Sequence, residues 1–141
     1  MFGCGVALLL AGAACGAPGP PAARSGEQIY RQNCYACHAL EPGRNTAAGP
    51  TLHNIVGRAV AAERGFNYSP AMRRLAGREG RWTPDLLDRF LAEPEATVPG
   101  TEMGFEGLGD PADRHALIEW LREQHVSNRR SDLEPAPTTS G

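Results

Sequence analysis

The sequence predicts an all-α domain of about four short helices joined by long loops. Three segments begin with a residue that can cap a helix, followed by proline at the first helical position; they start at Ser69-Pro70, Thr83-Pro84 and Asp110-Pro111. No stretch alternates polar and apolar residues as a half-buried strand does. The chain of 141 residues contains 17 glycines and 12 prolines, which suits one small domain with much irregular loop.

The helices can be placed from their first residues. Ser25 opens the first, because Gln28 follows three positions later and completes a capping box. The second is expected over 69–77, the third ends before Pro94, and the fourth continues to Val126. The core side chains predicted for the third and fourth helices are Leu86, Leu87, Phe90, Leu91, Leu117, Trp120 and Leu121. The apolar residues of segment 39–67 follow neither helical nor strand periodicity. This segment is therefore predicted to form a long ordered loop, a feature usually linked to function.

The C-terminal end of the first helix carries a motif with a specific chemistry, Cys34-Tyr35-Ala36-Cys37-His38. Two cysteines three apart with histidine directly after them have the spacing for covalent attachment of a c-type haem. Residues i, i+3 and i+4 share one helical face, so both sulfurs can reach the haem vinyl groups and the imidazole can reach the iron. We therefore expect one covalent haem c held by Cys34 and Cys37, with His38 as a ligand of the iron.

The same two cysteines could instead form a redox dithiol or half of a zinc site. A zinc site needs four ligands, but Cys4 and Cys15 lie in an apolar N-terminal stretch, and the remaining histidines form no close pair. A thioredoxin-like dithiol needs a βαβ pattern, which the sequence does not show. Haem attachment is therefore the favoured interpretation.

A second axial ligand is expected from a methionine, because a thioether favours ferrous iron and raises the potential. Met103 lies in the glycine-flanked loop 99–105, where it can enter a pocket, and is the predicted ligand. Met72 sits at core spacing on a short helix and is expected to pack, while Met1 belongs to the N-terminal segment. The alternative ligands, at loop or helix-surface positions, are His53, His115 and His125.

The two ends of the chain predict export and a disordered tail. The first 23 residues carry no charge, and the apolar run 6–14 is too short to span a bilayer of about 30 Å. We divide the chain into a signal peptide or lipoprotein signal (1–17), a linker (18–24), a haem domain (25–126) and a tail (127–141). Cleavage could follow Ala-x-Ala sequences such as Ala11-Gly12-Ala13, or Cys15 could carry a lipid. Either outcome places the protein in the periplasm or on the outer face of a bacterial inner membrane.

These motifs, taken in order, resemble the class I cytochromes c, in the branch of mitochondrial cytochrome c and bacterial cytochrome c2. The resemblance covers about residues 25–124. The segments that carry it, besides the attachment motif, are Gly49–Arg58 (GPTLHNIVGR), Gly65–Ser69 (GFNYS), Trp82, Pro99–Phe105 (PGTEMGF) and the closing helix with Leu117 and Trp120. It implies that the first and last helices cross, with Gly26 and Tyr30 at the crossing.

The resemblance also implies roles for individual residues. Pro50 would accept a hydrogen bond from His38, and four side chains would contact the haem, mainly at its propionates: Arg58, Tyr68, Trp82 and Thr101. The function it implies is one-electron transfer by a monomer, without enzymatic activity. Its partners would be redox proteins such as a membrane oxidase, a cytochrome bc1-type complex or a periplasmic dehydrogenase. Nucleic acid is not expected, because the net charge is −2.

Three departures from the family pattern affect these expectations. Phe90 stands where this branch commonly has tyrosine, and the interval from Met72 to Trp82 is a few residues longer than in mitochondrial forms. The family's lysine ring is missing, since all 14 basic residues are arginine, and Glu95 and Glu102 stand where lysines are common. Two alternative functions remain open: a haem enzyme or gas sensor with an open distal position, and an interaction or structural module without a redox role.

Overall fold

The fold is built from helices connected by long loops. A computed structural model describes residues 23–133, and in this range it contains α1 (Gly26–Asn33), α2 (Pro70–Glu79), α3 (Pro84–Ala92), α4 (Pro94–Thr97) and α5 (Pro111–Leu133). The same range contains no strand, only an isolated antiparallel bridge between Ala59 and Arg81. The predicted all-α class is confirmed.

The four predicted helix starts are correct, and each is fixed by a side-chain cap. Ser25 Oγ accepts a hydrogen bond from Gln28 N at 3.2 Å, and Gln28 Oε1 accepts one from Ser25 N at 2.8 Å, so the capping box is complete. The side-chain oxygens of Ser69, Thr83 and Asp110 each accept a hydrogen bond from a backbone N–H of the following first turn. Side-chain capping therefore defines where each predicted helix begins.

The helix ends differ from the sequence prediction. α1 ends at Asn33, so the attachment motif forms the next turn; the N–H groups of Cys37 and His38 both donate to Cys34 O, at 3.0 and 2.9 Å. α2 extends two residues past Gly77 and stops at Gly80, whose φ of +74° suits glycine. The short helix α4 was not predicted.

The largest difference is at the C-terminus. The prediction of a disordered tail from residue 127 is wrong for residues 127–133, which belong to α5. The reason is that no glycine or proline occurs between Ala112 and Glu134, so nothing in the backbone ends the helix earlier. The rest of the predicted tail, the signal segment 1–17 with Cys15, and linker residues 18–22 lie outside the described residues. Within the described part, no helix has the length and apolar character needed to cross a membrane.

α1 and α5 cross at a glycine, as the resemblance implied. A Cβ atom added at Gly26 would lie 2.3 Å from both Ala116 O and Trp120 Cβ, so the two backbones are in close approach. The Tyr30 ring packs against Trp120 with a centroid distance of 5.2 Å. Arg24, assigned above to the linker, already belongs to the domain, since it forms an ion pair with the buried Asp113 on α5.

The core lies between these crossed helices, α2 and α3. Leu75, Leu86 and Leu117 are fully buried, and all four apolar positions predicted for α3 are buried. Met72 is partly buried and packs against this core, as expected for a packing methionine. The loop after α4 is attached to α3 by a hydrogen bond from Leu108 N to Leu91 O at 2.7 Å.

Backbone hydrogen bonds join the long loop to the segment between α2 and α3. Gly57 N donates to Trp82 O at 2.7 Å, Trp82 N donates to Arg58 O at 2.9 Å, and Val60 N donates to Gly80 O at 3.0 Å. We call this set of contacts the backbone clasp. It brings Arg58 and Trp82 side by side although they are 24 positions apart in the sequence.

Candidate functional site

The imidazole of His38 is held in one orientation. Its Nδ1 lies 2.7 Å from Pro50 O, so Nδ1 carries the proton and donates, and Nε2 is left for a metal. There is no room for a side chain at Gly49, because an added Cβ would lie 2.4 Å from His38 Cε1. Tyr30 Oη donates to the His38 carbonyl at 2.7 Å. Burial lowers the pKa of His38, which favours the neutral, metal-binding form.

The two cysteines of the motif lie one turn apart and form no disulfide. Cys34 is half-buried and Cys37 is exposed. Burial, followed by the nearby Cys37, raises the pKa of the Cys34 thiol to about 11. A redox dithiol needs a lowered thiol pKa, so this environment speaks against that alternative. Nor do the described residues contain a group of three or more Cys, His, Asp or Glu that could hold a metal ion such as zinc.

The guanidinium of Arg58 is largely buried, and its buried Nε–H has no hydrogen-bond partner. Its Nη1 donates to His53 O at 2.8 Å and to Glu63 Oε2 at 3.1 Å, and its Nη2 donates to Thr51 O at 3.0 Å. Nε is buried and has no hydrogen-bond partner. An unsatisfied buried cationic donor is costly, so this atom indicates that an anionic group belongs beside it.

Tyr68 and Trp82 lie on the same side of the domain as Arg58. Tyr68 Oη accepts a hydrogen bond from Glu63 N at 3.3 Å, which leaves its own O–H available to donate. The pKa of Tyr68 is raised, first by burial, so the hydroxyl stays protonated. Trp82 is buried, packs against Phe90 with a centroid distance of 5.2 Å, and is fixed next to Arg58 by the backbone clasp.

Met103 lies in an irregular segment between α4 and α5. Thr101 N donates to Val98 O at 2.9 Å, and Met103 N donates to Thr101 Oγ1 at 3.3 Å, so consecutive turns hold the residue in place. Gly100 has a φ of +80°, a conformation suited to glycine. The Met103 side chain is partly buried against the core. Of the alternative ligands, His115 is exposed on α5, and the side chain of His125 lies outside the described part.

This set of groups fits a haem with carboxylate substituents. It contains an imidazole with one nitrogen reserved, two thiols at attachment spacing, and a buried guanidinium N–H that lacks an acceptor. The apolar side chains that are only partly buried against the core include Leu40, Leu52, Val56, Met72 and Met103. They would be covered further by a large apolar macrocycle, as expected for a chain with a small core of its own.

Sequence reasoning missed several residues that organise the site. Glu63 pairs with Arg58, and the fully buried Thr51 donates its hydroxyl to Glu41 O at 2.8 Å. Thr46 Oγ1 donates to Cys37 O at 2.6 Å, which ties the loop to the attachment motif. These residues lie in or beside the segment without periodicity, and the only available signal was the density of Thr, Asn and Gly there.

Comparisons with known proteins identify the family of this chain. Residues 21–121 match the family model described as Cytochrome C oxidase, cbb3-type, subunit III. Cytochrome c-type cyt cy of Rhodobacter capsulatus is 46% identical over 99 residues, which are 70% of this chain and 47% of that protein. Cytochrome c2 of Rhodomicrobium vannielii is 40% identical over 119 residues, which are 84% and 90% of the two chains. This chain thus spans about half of cytochrome cy and nearly all of that cytochrome c2.

A solved structure leads to the same family. Cytochrome cH from Methylobacterium extorquens is similar with a TM-score of 0.62 and 33% sequence identity, and the match covers 70% of this chain and 94% of that one. Its class I fold accounts for the crossed first and last helices and the long loops described above. The chain belongs to the class I cytochromes c and is a one-electron carrier with one covalently attached haem c, not an enzyme.

Proposed function

We propose that this protein carries single electrons within an exported electron-transfer chain, with His38 and Met103 as the axial ligands of the iron and Cys34 and Cys37 as the thioether attachments. The bound haem supplies an iron that gains and loses one electron. The observation that carries the proposal is the contact of 2.7 Å between His38 Nδ1 and Pro50 O. It fixes the tautomer, leaves Nε2 as the coordinating nitrogen, and makes the imidazole a stronger donor.

Met103 would supply the second protein ligand of the iron in this proposal. Its segment is held by turns at residues 98–101 and by the bond of Leu108 to α3, so the thioether is kept in place without being part of a helix. A protein that only exchanges electrons benefits when both ligands stay bound in both oxidation states, because little then has to reorganise. A sulfur ligand also favours the ferrous state.

The remaining site residues hold the haem carboxylates. Arg58 offers its unpaired Nε–H, and Tyr68 offers a hydroxyl that already accepts a bond from Glu63 N. Trp82 offers an indole N–H beside them, and Thr101 a further polar contact. Buried propionates are tolerated only when such donors neutralise or hydrogen-bond them, so these side chains serve to position the haem and to keep water out.

The composition of the N-terminal segment and the family support a proposed location and proposed partners. The protein is secreted to the periplasm or tethered to the outer face of the inner membrane through a lipid on Cys15. It acts as a monomer between a donor and an acceptor such as a cytochrome bc1-type complex, a periplasmic dehydrogenase or a membrane oxidase. Mass spectrometry of the native protein tests this. Its mass should exceed that of the processed chain by one haem, plus acyl groups if Cys15 is the mature N-terminus; an unprocessed chain would contradict export.

The axial assignment is tested with Met103→Ala, using Met72→Leu as the matched control. Loss of the sulfur ligand should abolish the six-coordinate, low-spin spectrum at neutral pH and lower the midpoint potential. Met72 lies on α2 and packs against the core, and Met72→Leu removes its sulfur while nearly conserving volume, so spectrum and potential should stay close to those of the wild type. An unchanged spectrum and midpoint potential in Met103→Ala would refute the assignment of Met103. Loss of the low-spin spectrum in Met72→Leu would instead identify Met72, on α2, as the ligand.

A further inference from the structure

We propose that Glu63 lowers the midpoint potential of the haem by sharing the Arg58 guanidinium with a haem propionate. The inference rests on the proposed function, because it takes Arg58 as a propionate partner. It concerns a residue that the family resemblance did not point to, and it arises from the hydrogen bonds around one side chain.

The Glu63–Arg58 ion pair is largely removed from solvent. Both side chains are 15% exposed, and Arg58 Nη1 lies 3.1 Å from Glu63 Oε2. The pair between Arg31 and Glu27 on α1 differs, since its side chains are 68% and 51% exposed. Solvent screens an exposed pair strongly and a largely buried pair much less, so of these two carboxylates Glu63 keeps the larger field inside the domain.

The guanidinium has a free edge on the side away from Glu63. An arginine has five N–H donors. Three are used: both N–H groups of Nη1, on His53 O and Glu63, and one N–H of Nη2, on Thr51 O. The two that remain are the buried Nε–H and the second N–H of Nη2. One carboxylate therefore already binds Arg58, and the remaining donors suit a second one.

This arrangement leaves an excess negative charge next to the haem. A propionate and Arg58 alone would be neutral, whereas a propionate, Arg58 and Glu63 together carry one negative charge. Tyr68 adds only a neutral hydroxyl, whose oxygen already accepts from Glu63 N. A negative charge stabilises the oxidised iron, which is one charge more positive than the reduced iron. Glu63 should therefore favour the ferric state and lower the potential.

The test is spectroelectrochemical titration of the haem-loaded protein carrying Glu63→Gln, with Glu27→Gln as a control that removes the same charge from an exposed pair. Glu63→Gln should shift the reduction equilibrium at least about threefold toward the ferrous form, which is about 28 mV at 59 mV per tenfold. Glu27→Gln should shift it less. Raising the salt concentration to about 1 M, where the Debye length is about 3 Å, should leave most of the Glu63→Gln shift in place.

Two further variants separate charge from packing. Glu63→Asp keeps the charge and should stay close to the wild type, and Glu63→Ala should raise the potential as Glu63→Gln does. The proposal is overturned if Glu63→Gln shifts no more than Glu27→Gln, or if Glu63→Asp shifts as much as Glu63→Gln. Either result, obtained with an intact low-spin spectrum, would leave the assignment of His38 and Met103 as iron ligands in place. Failure of the Glu63 proposal can therefore be told apart from failure of the proposed function.

Discussion

The orientation of His38 depends on one hydrogen bond and on the absence of one methyl group. The Pro50 carbonyl fixes Nδ1, and Gly49 leaves the space in which the ring lies. Tyr30 adds a hydrogen bond to the carbonyl of the same residue. Two adjacent loop residues and one tyrosine on α1 thus determine where a single imidazole nitrogen points.

Gly49→Ala should displace the His38 ring, because the added Cβ would lie 2.4 Å from Cε1 and 2.6 Å from Nδ1. We expect loss of the low-spin spectrum in a large fraction of the protein, measured by absorption spectroscopy after purification. Gly77→Ala is the control, since a Cβ there meets nothing within 4 Å and the residue lies within α2. That variant should be stabilised by about 0.5–1 kcal/mol; equal spectra for the two variants would argue against a packing constraint at Gly49.

Tyr30→Phe should lower stability by about 1 kcal/mol near pH 8, through loss of the hydrogen bond to His38 O. Burial is the main factor that raises the pKa of Tyr30 above its usual value of 10.0. Its contribution to stability is therefore complete below pH 10 and is lost as pH rises through the folded-state pKa, because the unfolded chain releases the proton first.

Denaturant unfolding between pH 8 and pH 11 measures both effects. The stability of the wild type should fall more steeply above pH 10 than that of Tyr30→Phe. Tyr35→Phe is the control, because Tyr35 is 68% exposed and should contribute little. Parallel curves for the wild type and Tyr30→Phe would show that Tyr30 does not carry this pH dependence.

At the scale of elements, the contact between α1 and α5 holds the domain together. It joins residues about 90 positions apart through Gly26, and the Tyr30 and Trp120 rings fill the space beside that contact. The pair of Arg24 with Asp113 secures the same end of α1. This packing places the attachment motif, which follows α1 directly, against the rest of the core.

Gly26→Ala should destabilise the protein by about 1–3 kcal/mol, because the new methyl group can be accommodated only if the two helices separate. Gly109→Ala provides the comparison, since a Cβ at that position meets nothing within 4 Å. Thermal unfolding of both haem-loaded variants measures the difference. A Gly26→Ala protein as stable as Gly109→Ala would mean that the helices separate at little cost.

Local chemistry made the helix starts predictable, whereas the helix ends and the loop partners depend on the tertiary structure. Ser25 and the three cap–proline pairs act within four residues, so sequence alone reveals them. The end of α1 before Cys34 leaves no such local mark. Likewise the motif and Met103 could be recognised by spacing, but the pairing of Glu63 with Arg58 depends on how the loop closes.

At the scale of the whole molecule, charge is distributed unevenly along the chain. Residues 90–113 contain six acidic residues and no arginine, while residues 58–81 contain six arginines and two acidic residues. Among the acidic residues, Glu93, Glu95, Glu102 and Glu106 are exposed in the segment that contains Met103. A partner that approaches this segment should therefore carry positive charge where it docks.

Glu102→Gln should slow electron exchange with a cationic reagent such as hexaammineruthenium and speed exchange with anionic ferrocyanide or ferricyanide. Both effects should shrink as salt rises, since the charge is exposed and lies next to Met103. Stopped-flow rates at several ionic strengths provide the measurement, and Glu27→Gln on α1 is the control. If the two variants respond alike, only net charge matters and the acidic segment has no directing role.

The backbone clasp also bears on how this protein can change in length. Its hydrogen bonds join the two ends of residues 61–79, so Arg58 and Trp82 should stay side by side when residues are added at the end of α2. Doubling a flexible loop costs only about 0.6 kcal/mol, so additional residues between Met72 and Trp82 should be tolerated. Insertions at the end of α2 therefore offer a route by which descendants of one electron carrier could acquire new surfaces while the haem surroundings stay unchanged.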